Sequence, residues 1–390
     1  MGGQLVSLLG SNLTIVAIPY QVYRETHSSL WVGLASLFQL PALIAGSLWG
    51  GAMGDRLNRR TLLVLSSLVL GALSAGLALN AQSAQTHFAL LLCLAALAAG
   101  AGGFARPIRS ATIPRLVAGD ELVAAYSINQ VIMNVAVVLG PALAGVLLAT
   151  ASLAACYWID AGTFLVLALA TRSMSSLPAG EEHAGVAVLR AIGEGFAYVR
   201  RHALAQAVYL ADLNAMVFGL PRALFPAMTL SVYHAGPTTL GLLYAAPGAG
   251  ALAMALVTGW IARVRRRGRL VVYVVAAWGA AMSLFGLVHV VWFGLSCLAV
   301  AGAMDVISTV LRNTILQLAI TDEFRSRISA IQMAVVTGGP RLGDLESGVV
   351  ATLTSTEVSI VSGGLACILG VLALARWRRS FWRAEAERAP

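Results

Sequence analysis

The chain has 390 residues, of which 58% are hydrophobic and only 11% are charged, and its mean hydropathy is +0.81. Soluble domains carry about 25% charged residues, so this chain has too few charges to coat a soluble globule. All 26 basic residues are arginine, and the net charge is +9. The composition excludes an ordinary soluble protein and indicates an integral membrane protein with little soluble mass.

Long apolar runs predict the membrane-spanning helices in chain order. A run of about 18–20 apolar residues can cross the hydrocarbon core as a helix. The eleventh predicted span is the most polar, because it contains Arg341, Asp344 and Glu346. The twelve predicted spans are 4–23, 31–53, 62–80, 87–105, 122–149, 153–171, 204–230, 239–261, 270–288, 291–311, 328–352 and 358–375.

The arginines are concentrated in alternate connections between these spans. Counted by connection, 23 arginines fall on one side of the predicted membrane, and only Arg24 and Arg222 fall on the other. Short arginine-rich loops remain in the cytoplasm. The distribution therefore predicts that both termini are cytoplasmic, which requires an even number of spans.

The longest connection divides the predicted spans into two sets of six. Its second part, VAVLRAIGEGFAYVRRH, places Leu189, Ile192, Phe196 and Val199 at steps of three and four residues, which predicts an amphipathic helix on the inner membrane surface. A packed soluble helix is the alternative. The predicted parts are a six-helix bundle (1–172), a cytoplasmic linker (173–203), a second six-helix bundle (204–376) and a cytoplasmic tail (377–390).

The two halves resemble each other in sequence. Residues 32–62 align with 240–270 at an offset of 208, RPIRSATIPRLVAGDELVAAYS resembles RNTILQLAITDEFRSRISA, and GPALAG resembles GPRLGD. Repeated halves are typical of transporters, whose binding sites lie at the repeat interface. The equivalent pairs are Gly33 with Gly241, Gly51 with Gly259, Arg59 with Arg267 and Arg106 with Arg312, while Asp55 corresponds to Arg263.

The stretch GGAMGDRLNRR, between the second and third spans, resembles the signature loop of the major facilitator superfamily. THSSLWVGL, LFPAMTLSVYHAGPTTLGLLYAAPGAGA and LRNTILQLAITDEFRSRISAI further resemble the branch that contains bacterial enterobactin exporters and drug-efflux proteins. The resemblance implies an all-α membrane fold of twelve helices in two pseudo-symmetric bundles. It also implies proton-driven export of amphipathic small molecules, siderophore-like or drug-like, across the bacterial inner membrane.

Three features depart from the pattern of that family. Asn58 stands where the loop usually has a second glycine, and the antiporter motif of the fifth span is reduced to Gly140, Pro141 and Gly145. MGGQLVSLLG has no basic residue before the first span, so we expect that the true start lies upstream.

The resemblance assigns the loop to a conformational latch at the cytoplasmic ends of the helices. Asp55 can accept hydrogen bonds from a guanidinium and can interact with the positive end of a neighbouring helix. Arg59 and Arg60 are candidates for binding anionic headgroups. The alternative is that the loop only fixes topology. The expected latch residues are Gly51, Asp55, Arg56, Arg59 and Arg60.

Ionisable residues inside spans are the candidates for proton coupling, because a charge at bilayer depth costs about 2.5–3.5 kcal/mol and usually faces a cavity or a partner. In the family, spans 1, 4, 7 and 10 line the cavity, which favours Asp212 and Asp305. Asp305 is seven residues before Arg312, so a charge pair between them is possible. The other candidates are Asp160, Asp344 and Glu346, and a static structural role is the alternative for all five.

Polar side chains in the spans are candidates for contacting substrate, although such side chains often bridge helices instead. They are Asn12, Gln21, Asn214, Arg106 and Arg312. Small residues and prolines allow close packing and bending. These are Gly140, Pro141 and Gly145 in the fifth span and Gly339 and Pro340 in the eleventh.

No motif indicates a cofactor, a metal site, a nucleotide site or an enzyme active site. The chain lacks GxxxxGKS, GxSxG and HExxH, which are typical of ATP binding, serine hydrolases and zinc proteases. The expected partners are a small-molecule substrate, protons and lipid, with no nucleic acid, and the expected state is a monomer. A metabolite importer of the same fold and a non-transporting membrane sensor remain as alternatives.

Overall fold

The apolar runs fold as helices because lipid offers no hydrogen-bond partners, so each spanning backbone must satisfy its own polar groups. The computed structural model describes residues 2–116, 121–174, 186–319 and 325–382. Part of the predicted linker and the end of the predicted tail lie outside the described residues. The helices are α1 (Gly2–Thr26), α2 (Ser29–Arg56), α3 (Arg59–Gln82), α4 (Phe88–Leu116), α5 (Leu122–Thr150), α6 (Leu153–Arg172), α7 (Val186–Arg201), α8 (Ala203–Phe218), α9 (Phe225–Ala227), α10 (Pro237–Ala255), α11 (Arg267–Leu287), α12 (Val291–Ala319), α13 (Arg325–Leu353), α14 (Thr356–Trp377) and α15 (Arg379–Trp382).

Eleven helical segments within the described residues are long and apolar enough to cross a membrane, and the chain is therefore a multi-pass membrane protein. The remaining long helix is α13, which carries the charged residues Arg341, Asp344 and Glu346. With α13 as a twelfth span, the described helices agree with the predicted all-helical, twelve-span fold.

The seventh predicted span, 204–230, is not one continuous helix. Helix α8 ends at Phe218, and the chain continues as a 3-10 turn over Arg222–Leu224, the single turn α9 and a π-helix over Met228–Val232. Pro221 lies in the break, where its missing N–H and its ring prevent the helix from continuing.

Neighbouring helices satisfy the polar backbone groups that this break frees. The indole N–H of Trp278 on α11, itself buried, donates to the carbonyl oxygen of Gly219 at 2.6 Å. The backbone N–H of Ala223 donates to Oδ1 of Asp344 on α13 at 3.0 Å. Irregular backbone at membrane depth is tolerated only where protein groups bind it in this way.

The predicted linker helix is present as α7, but the burial of its first seven residues is not described. Tyr198 and Val199 are buried, whereas Phe196 is 58% exposed. The eighth predicted span, 239–261, ends earlier than expected: α10 stops at Ala255 and is followed by a 3-10 helix over Thr258–Arg263.

The chain forms two compact units. The first contains Met1–His27, Leu34–Ala187 and Ala235–Ala245, and the second contains Ser28–Gly33, Val188–His234 and Ala246–Pro390. Each unit therefore takes the beginning of one helix, α2 or α10, from the other half of the sequence.

Aligned glycines explain this exchange. A Cβ atom on Gly33 of α2 would lie 2.3 Å from the carbonyl oxygen of Asp344 in the second unit, and a Cβ atom on Gly241 of α10 would lie 2.5 Å from the carbonyl oxygen of Pro141 in the first. Gly33 corresponds to Gly241 in the sequence repeat, and the GPRLGD segment corresponds to GPALAG. The repeated sequence thus gives two equivalent helix contacts.

The first unit is held together by similarly close contacts between α2 and α4. A Cβ atom on Gly46 would lie 2.0 Å from the carbonyl oxygen of Gly100, and one on Gly50 would lie 2.0 Å from that of Phe104. A Cβ atom on Gly51, the glycine of the family loop, would meet no atom within 4 Å. Packing therefore requires glycine at position 50 but not at position 51.

Adjacent substitutions test this packing. Gly50→Ala must push the backbone of α4 away and is expected to reduce the free energy of unfolding by about 1–3 kcal/mol. Gly51→Ala is the matched control; it enters open space and is expected to leave stability unchanged or to raise it by up to about 1 kcal/mol through helix propensity. Thermal unfolding of the purified proteins in detergent measures both, and equal losses would contradict the contact.

Candidate functional site: a charged corner and buried polar networks

The first turn of α3 begins with a side-chain cap. Asn58 has an extended backbone (φ −62°, ψ 114°), and its Oδ1 accepts the backbone N–H of Arg60 at 3.0 Å. A side-chain oxygen at this position satisfies a backbone N–H that has no partner inside the helix. Because φ is negative, the backbone here does not require glycine, and asparagine at this position supplies a cap that glycine lacks.

Arg59 points into the first unit and joins three helices. Its side chain is only 7% exposed. Its Nε donates to the carbonyl oxygen of Gly54 at the end of α2 at 3.1 Å, and its Nη1 donates to that of Ala111 on α4 at 2.9 Å. A buried guanidinium needs such partners, so Arg59 is committed to the interior of this corner.

Asp55 forms the looser part of the same corner. Its Oδ1 lies 3.6 Å from Nη2 of Arg59, and its side chain is 25% exposed. Such a partly exposed pair is worth about 0–1 kcal/mol. The neighbouring Arg56 is exposed and Arg60 is partly exposed. Of the expected latch residues, the structure brings Asp55 and Arg59 into contact.

A buried ion pair lies in the second unit. Nη2 of Arg312 on α12 is 2.8 Å from Oδ1 of Asp212 on α8, and both side chains are under 5% exposed. Nε2 of Gln332 on α13 donates to Asp212 Oδ2 at 3.2 Å. The pair makes a single close contact, because Asp212 Oδ1 and Arg312 Nη1 have no hydrogen bond of good geometry among the described residues.

Asp305 reaches this pair through a hydroxyl group. Thr309 donates to Asp305 Oδ1 at 3.3 Å and accepts a hydrogen bond from Arg312 Nη2 at 3.2 Å. The partner that Arg312 contacts directly is therefore Asp212, and Asp305 is one side chain further along α12. Asp305 is partly exposed, whereas Asp212 and Arg312 are buried. Three helices thus join Asp305, Thr309, Arg312, Asp212 and Gln332 in one chain of contacts.

Asp160 forms a separate buried site in the first unit. Its Oδ2 accepts hydrogen bonds from Thr14 on α1 at 2.7 Å and from Ser74 on α3 at 2.8 Å. Its Oδ1 has no hydrogen-bond partner among the described residues, and the residue is 2% exposed. This carboxyl group binds neutral hydroxyls, in contrast to Asp212.

Three of the expected substrate-contacting side chains bridge or brace helices instead. Gln21 accepts a hydrogen bond from Tyr157 on α6 at 2.8 Å and donates to Glu25. Asn214 donates to the carbonyl oxygen of Cys367 on α14 at 2.8 Å. The amide of Asn12 donates to Leu8 of its own helix.

The two arginines among those candidates have opposite environments. Arg106 on α4 is exposed, whereas Arg312 is 3% exposed in the ion pair. The two positions correspond in the sequence repeat, yet each has a different role in its own unit.

The remaining candidates line helix contacts. Asp344 accepts the backbone N–H of Ala223, as described above, and Glu346 is partly exposed on the same helix. A Cβ atom on Gly140 would lie 2.3 Å from Cβ of Asn12, and one on Gly145 would lie 2.8 Å from Cα of Gly241. On α13, a Cβ atom on Gly339 would lie 3.0 Å from Met216, and Pro340 lies inside the helix.

Sequence reasoning did not find the hydroxyl and amide groups that complete these sites. Thr309, Gln332 and Ser74 each lie in a predicted span or beside a named carboxylate, and each contacts one of the named carboxylates. A polar side chain in an apolar run is the only signal that could have indicated them. Their partners come from other helices, which hydropathy does not reveal.

The all-helical multi-span fold, with glycine-packed helices and a few buried charges, defines a membrane transporter. The family model of the Major Facilitator Superfamily matches residues 1–343, and the chain belongs to that family. Transporters of this family move small molecules, so the expected kind of substrate follows from the membership.

Curated relatives and solved structures agree with this family. The chain is 30% identical over 376 residues to an enterobactin exporter, EntS, of Citrobacter koseri, covering 95% of this chain and 88% of the relative. It is also 30% identical over 378 residues to the enterobactin exporter EntS of Escherichia coli O1:K1 / APEC, covering 95% and 89%.

Among solved structures, the nucleoside transporter NupG matches with a TM-score of 0.78 at 13% identity, covering 96% of this chain and 98% of that one. A D-xylose-proton symporter matches with a TM-score of 0.70 at 13% identity, covering 95% of both chains. At this identity, these likenesses show the fold alone.

The buried pair gives a prediction about stability. Asp212→Asn leaves the guanidinium of Arg312 buried without its carboxylate and is expected to destabilise the protein by about 3–5 kcal/mol. The double variant Asp212→Asn/Arg312→Gln removes both charges and is expected to recover most of that loss. Glu346→Gln, a partly exposed carboxylate on α13, is the control and should change stability by no more than about 0.5 kcal/mol.

Unfolding of the purified variants in detergent, followed by intrinsic tryptophan fluorescence, measures this difference. A double variant as unstable as Asp212→Asn would contradict a charge-pair role for these two residues.

Proposed function

We propose that this protein exports a small amphipathic molecule, siderophore-like or drug-like, from the bacterial cytoplasm in exchange for protons. The two bundles would alternate between inward-facing and outward-facing states, with both termini in the cytoplasm of the inner membrane. The observation that carries the proposal is the contact chain from Asp305 through Thr309 and Arg312 to Asp212, because it joins a partly exposed carboxylate to a buried ion pair.

Export is supported by the curated relatives, which are enterobactin exporters. The cytoplasmic termini are supported by the arginine count, 23 on one side against two on the other. A proton that moves down 100 mV supplies about 2.3 kcal/mol, which sustains a roughly fiftyfold gradient of a neutral solute. One proton for each substrate molecule is therefore enough for efflux.

The proton carrier in this proposal is Asp305. A carrier must exchange with water, and Asp305 is partly exposed, whereas the Arg312 contact favours the ionised form of Asp212. The charged groups that act on Asp305 are Arg312, Asp212 and Arg222. When Asp305 is protonated, Arg312 is left to Asp212. When Asp305 is ionised, two carboxylates share one guanidinium, and the contacts between α8 and α12 must readjust.

Asp160, Asp344 and Glu346 have other roles in this proposal. Asp160 is enclosed by α1, α3 and α6 and binds two hydroxyls, so it stabilises the first unit. Asp344 binds the backbone after the break in the seventh span. Neither Asp160 nor Asp344 shares a hydrogen-bonded contact with Arg312 among the described residues.

The charged corner supplies the latch in this proposal. Arg59 is fixed by two backbone carbonyls, while Asp55 lies 3.6 Å away on the more exposed side. Asp55 is therefore free to move to another partner without disturbing the buried arginine. A contact of this kind is weak enough to break in every transport cycle.

Proton coupling is tested with Asp305→Asn in proteoliposomes. Because asparagine cannot carry a proton, substrate-driven proton movement, measured with an internal pH dye, should fall to the level of empty liposomes. Substrate–substrate exchange should continue, because the amide preserves the contact with Thr309. Asp160→Asn is the control and should retain coupling. Unchanged proton movement in Asp305→Asn would exclude it as the carrier, and uptake against a proton gradient of the opposite sign would identify an importer.

The latch is tested with Asp55→Asn. Since the Asp55 contact with Arg59 is partly exposed, the free energy of unfolding should change by no more than about 1 kcal/mol, and the membrane level should stay normal. Accumulation of a fluorescent efflux dye in cells should rise to that of cells without the protein. Glu357→Gln, an acidic residue in the first turn of α14, is the control. Normal efflux by Asp55→Asn would remove Asp55 from the latch.

A further inference from the structure

A surface cavity lies at the arginine-rich ends of α3 and α6. It encloses about 530 Å³ and lies entirely within the first unit. Its lining is divided, with polar groups at the helix ends and aliphatic groups further along α3. The lining residues are Asn58, Arg60, Thr61, Val64, Leu65, Leu68 and Arg172.

The polar end carries two positive charges that the protein does not neutralise. Arg60 belongs to the first turn of α3, and Arg172 is the last residue of α6. Neither guanidinium has an acidic partner among the described residues. The positive end of α3 adds to the same field. Guanidinium groups form paired hydrogen bonds with phosphate oxygens, so this end suits a phosphate.

The adjacent arginines of the loop therefore differ in what they can bind. Arg59 is 6% exposed and donates to two backbone carbonyls, whereas Arg60 faces the cavity. Successive residues on a helix point about 100° apart, so only one of the two can face outward. Anionic headgroups were expected at both arginines, and the geometry restricts that expectation to Arg60 together with Arg172.

The other end of the cavity is apolar and open. Thr61, Val64, Leu65 and Leu68 recur at helical steps of three and four along one face of α3. Leu65 is 56% exposed and Leu68 is 45% exposed. This strip runs from the charged end along the apolar part of a membrane-spanning helix, where acyl chains lie.

We propose that this cavity binds one anionic phospholipid, with its phosphate on Arg60 and Arg172 and an acyl chain along Val64, Leu65 and Leu68. The order of the groups along α3, charged at the end and then aliphatic, matches the order of groups in a phospholipid. A soluble phosphate would use only the charged end. The arginine count predicts that this end is cytoplasmic, in the leaflet where anionic lipids attract basic residues.

The test uses the delipidated full-length protein and counts bound lipid by native mass spectrometry. The probes are palmitoyl-oleoyl phosphatidylglycerol, the matching phosphatidylcholine and soluble glycerol 3-phosphate. We expect the protein to bind phosphatidylglycerol about tenfold or more tightly than phosphatidylcholine. Arg60→Gln/Arg172→Gln should abolish that preference. Arg263→Gln/Arg265→Gln removes the same charge from exposed residues outside the cavity and should retain it.

The apolar strip is tested separately with Leu65→Ala/Leu68→Ala. Both side chains are largely exposed, so folding should be preserved even if the arginine variant were lost. This variant should bind phosphatidylglycerol several-fold more weakly and leave glycerol 3-phosphate binding unchanged.

Three results would overturn the proposal. The first is an undiminished lipid preference in the arginine variant, and the second is an equal loss in the Arg263/Arg265 control. The third is glycerol 3-phosphate binding as tight as that of the lipid, which would indicate a soluble phosphate site.

Discussion

The cost of removing charge from water is the constraint on which this structure depends. A charged or polar group inside an apolar bundle must find a partner on another helix. Arg312 and Asp212 join α12 to α8, Asp160 joins α6 to α1 and α3, and Arg59 joins the start of α3 to α2 and α4. The few charges inside the bundles therefore also determine which helices lie together.

Close glycine contacts supply the second part of the architecture. Helices in lipid gain little from apolar burial against each other, so small residues that let backbones approach are common at their contacts. Gly50 against Phe104 and Gly241 against Pro141 leave no space for a Cβ atom. These contacts are rigid in a way that the loosely paired Asp55 is not. We infer that movement in the transport cycle takes place at partly exposed charges rather than at glycine-packed surfaces.

The arginines divide into three functional groups. Most lie in the connections and fix the topology, Arg59 and Arg312 are buried and bind specific oxygen atoms, and Arg60 and Arg172 face a cavity at the membrane boundary. Composition cannot distinguish these groups, because the same side chain serves all three. The distinction comes from burial and from the acceptors within reach.

The sequence by itself determined the membrane class, the helical spans, the repeat and the family loop, because hydropathy and arginine placement are local properties of the chain. It also predicted that Asp212 and Arg312 were significant, but not that they pair, and it suggested a direct contact of Arg312 with Asp305 that the structure mediates through Thr309. The break after Phe218 was missed because its stabilising partners, Trp278 and Asp344, lie far along the chain. Only the tertiary structure decided such pairings, since the rotation of each helix about its own axis depends on all the helices that pack against it.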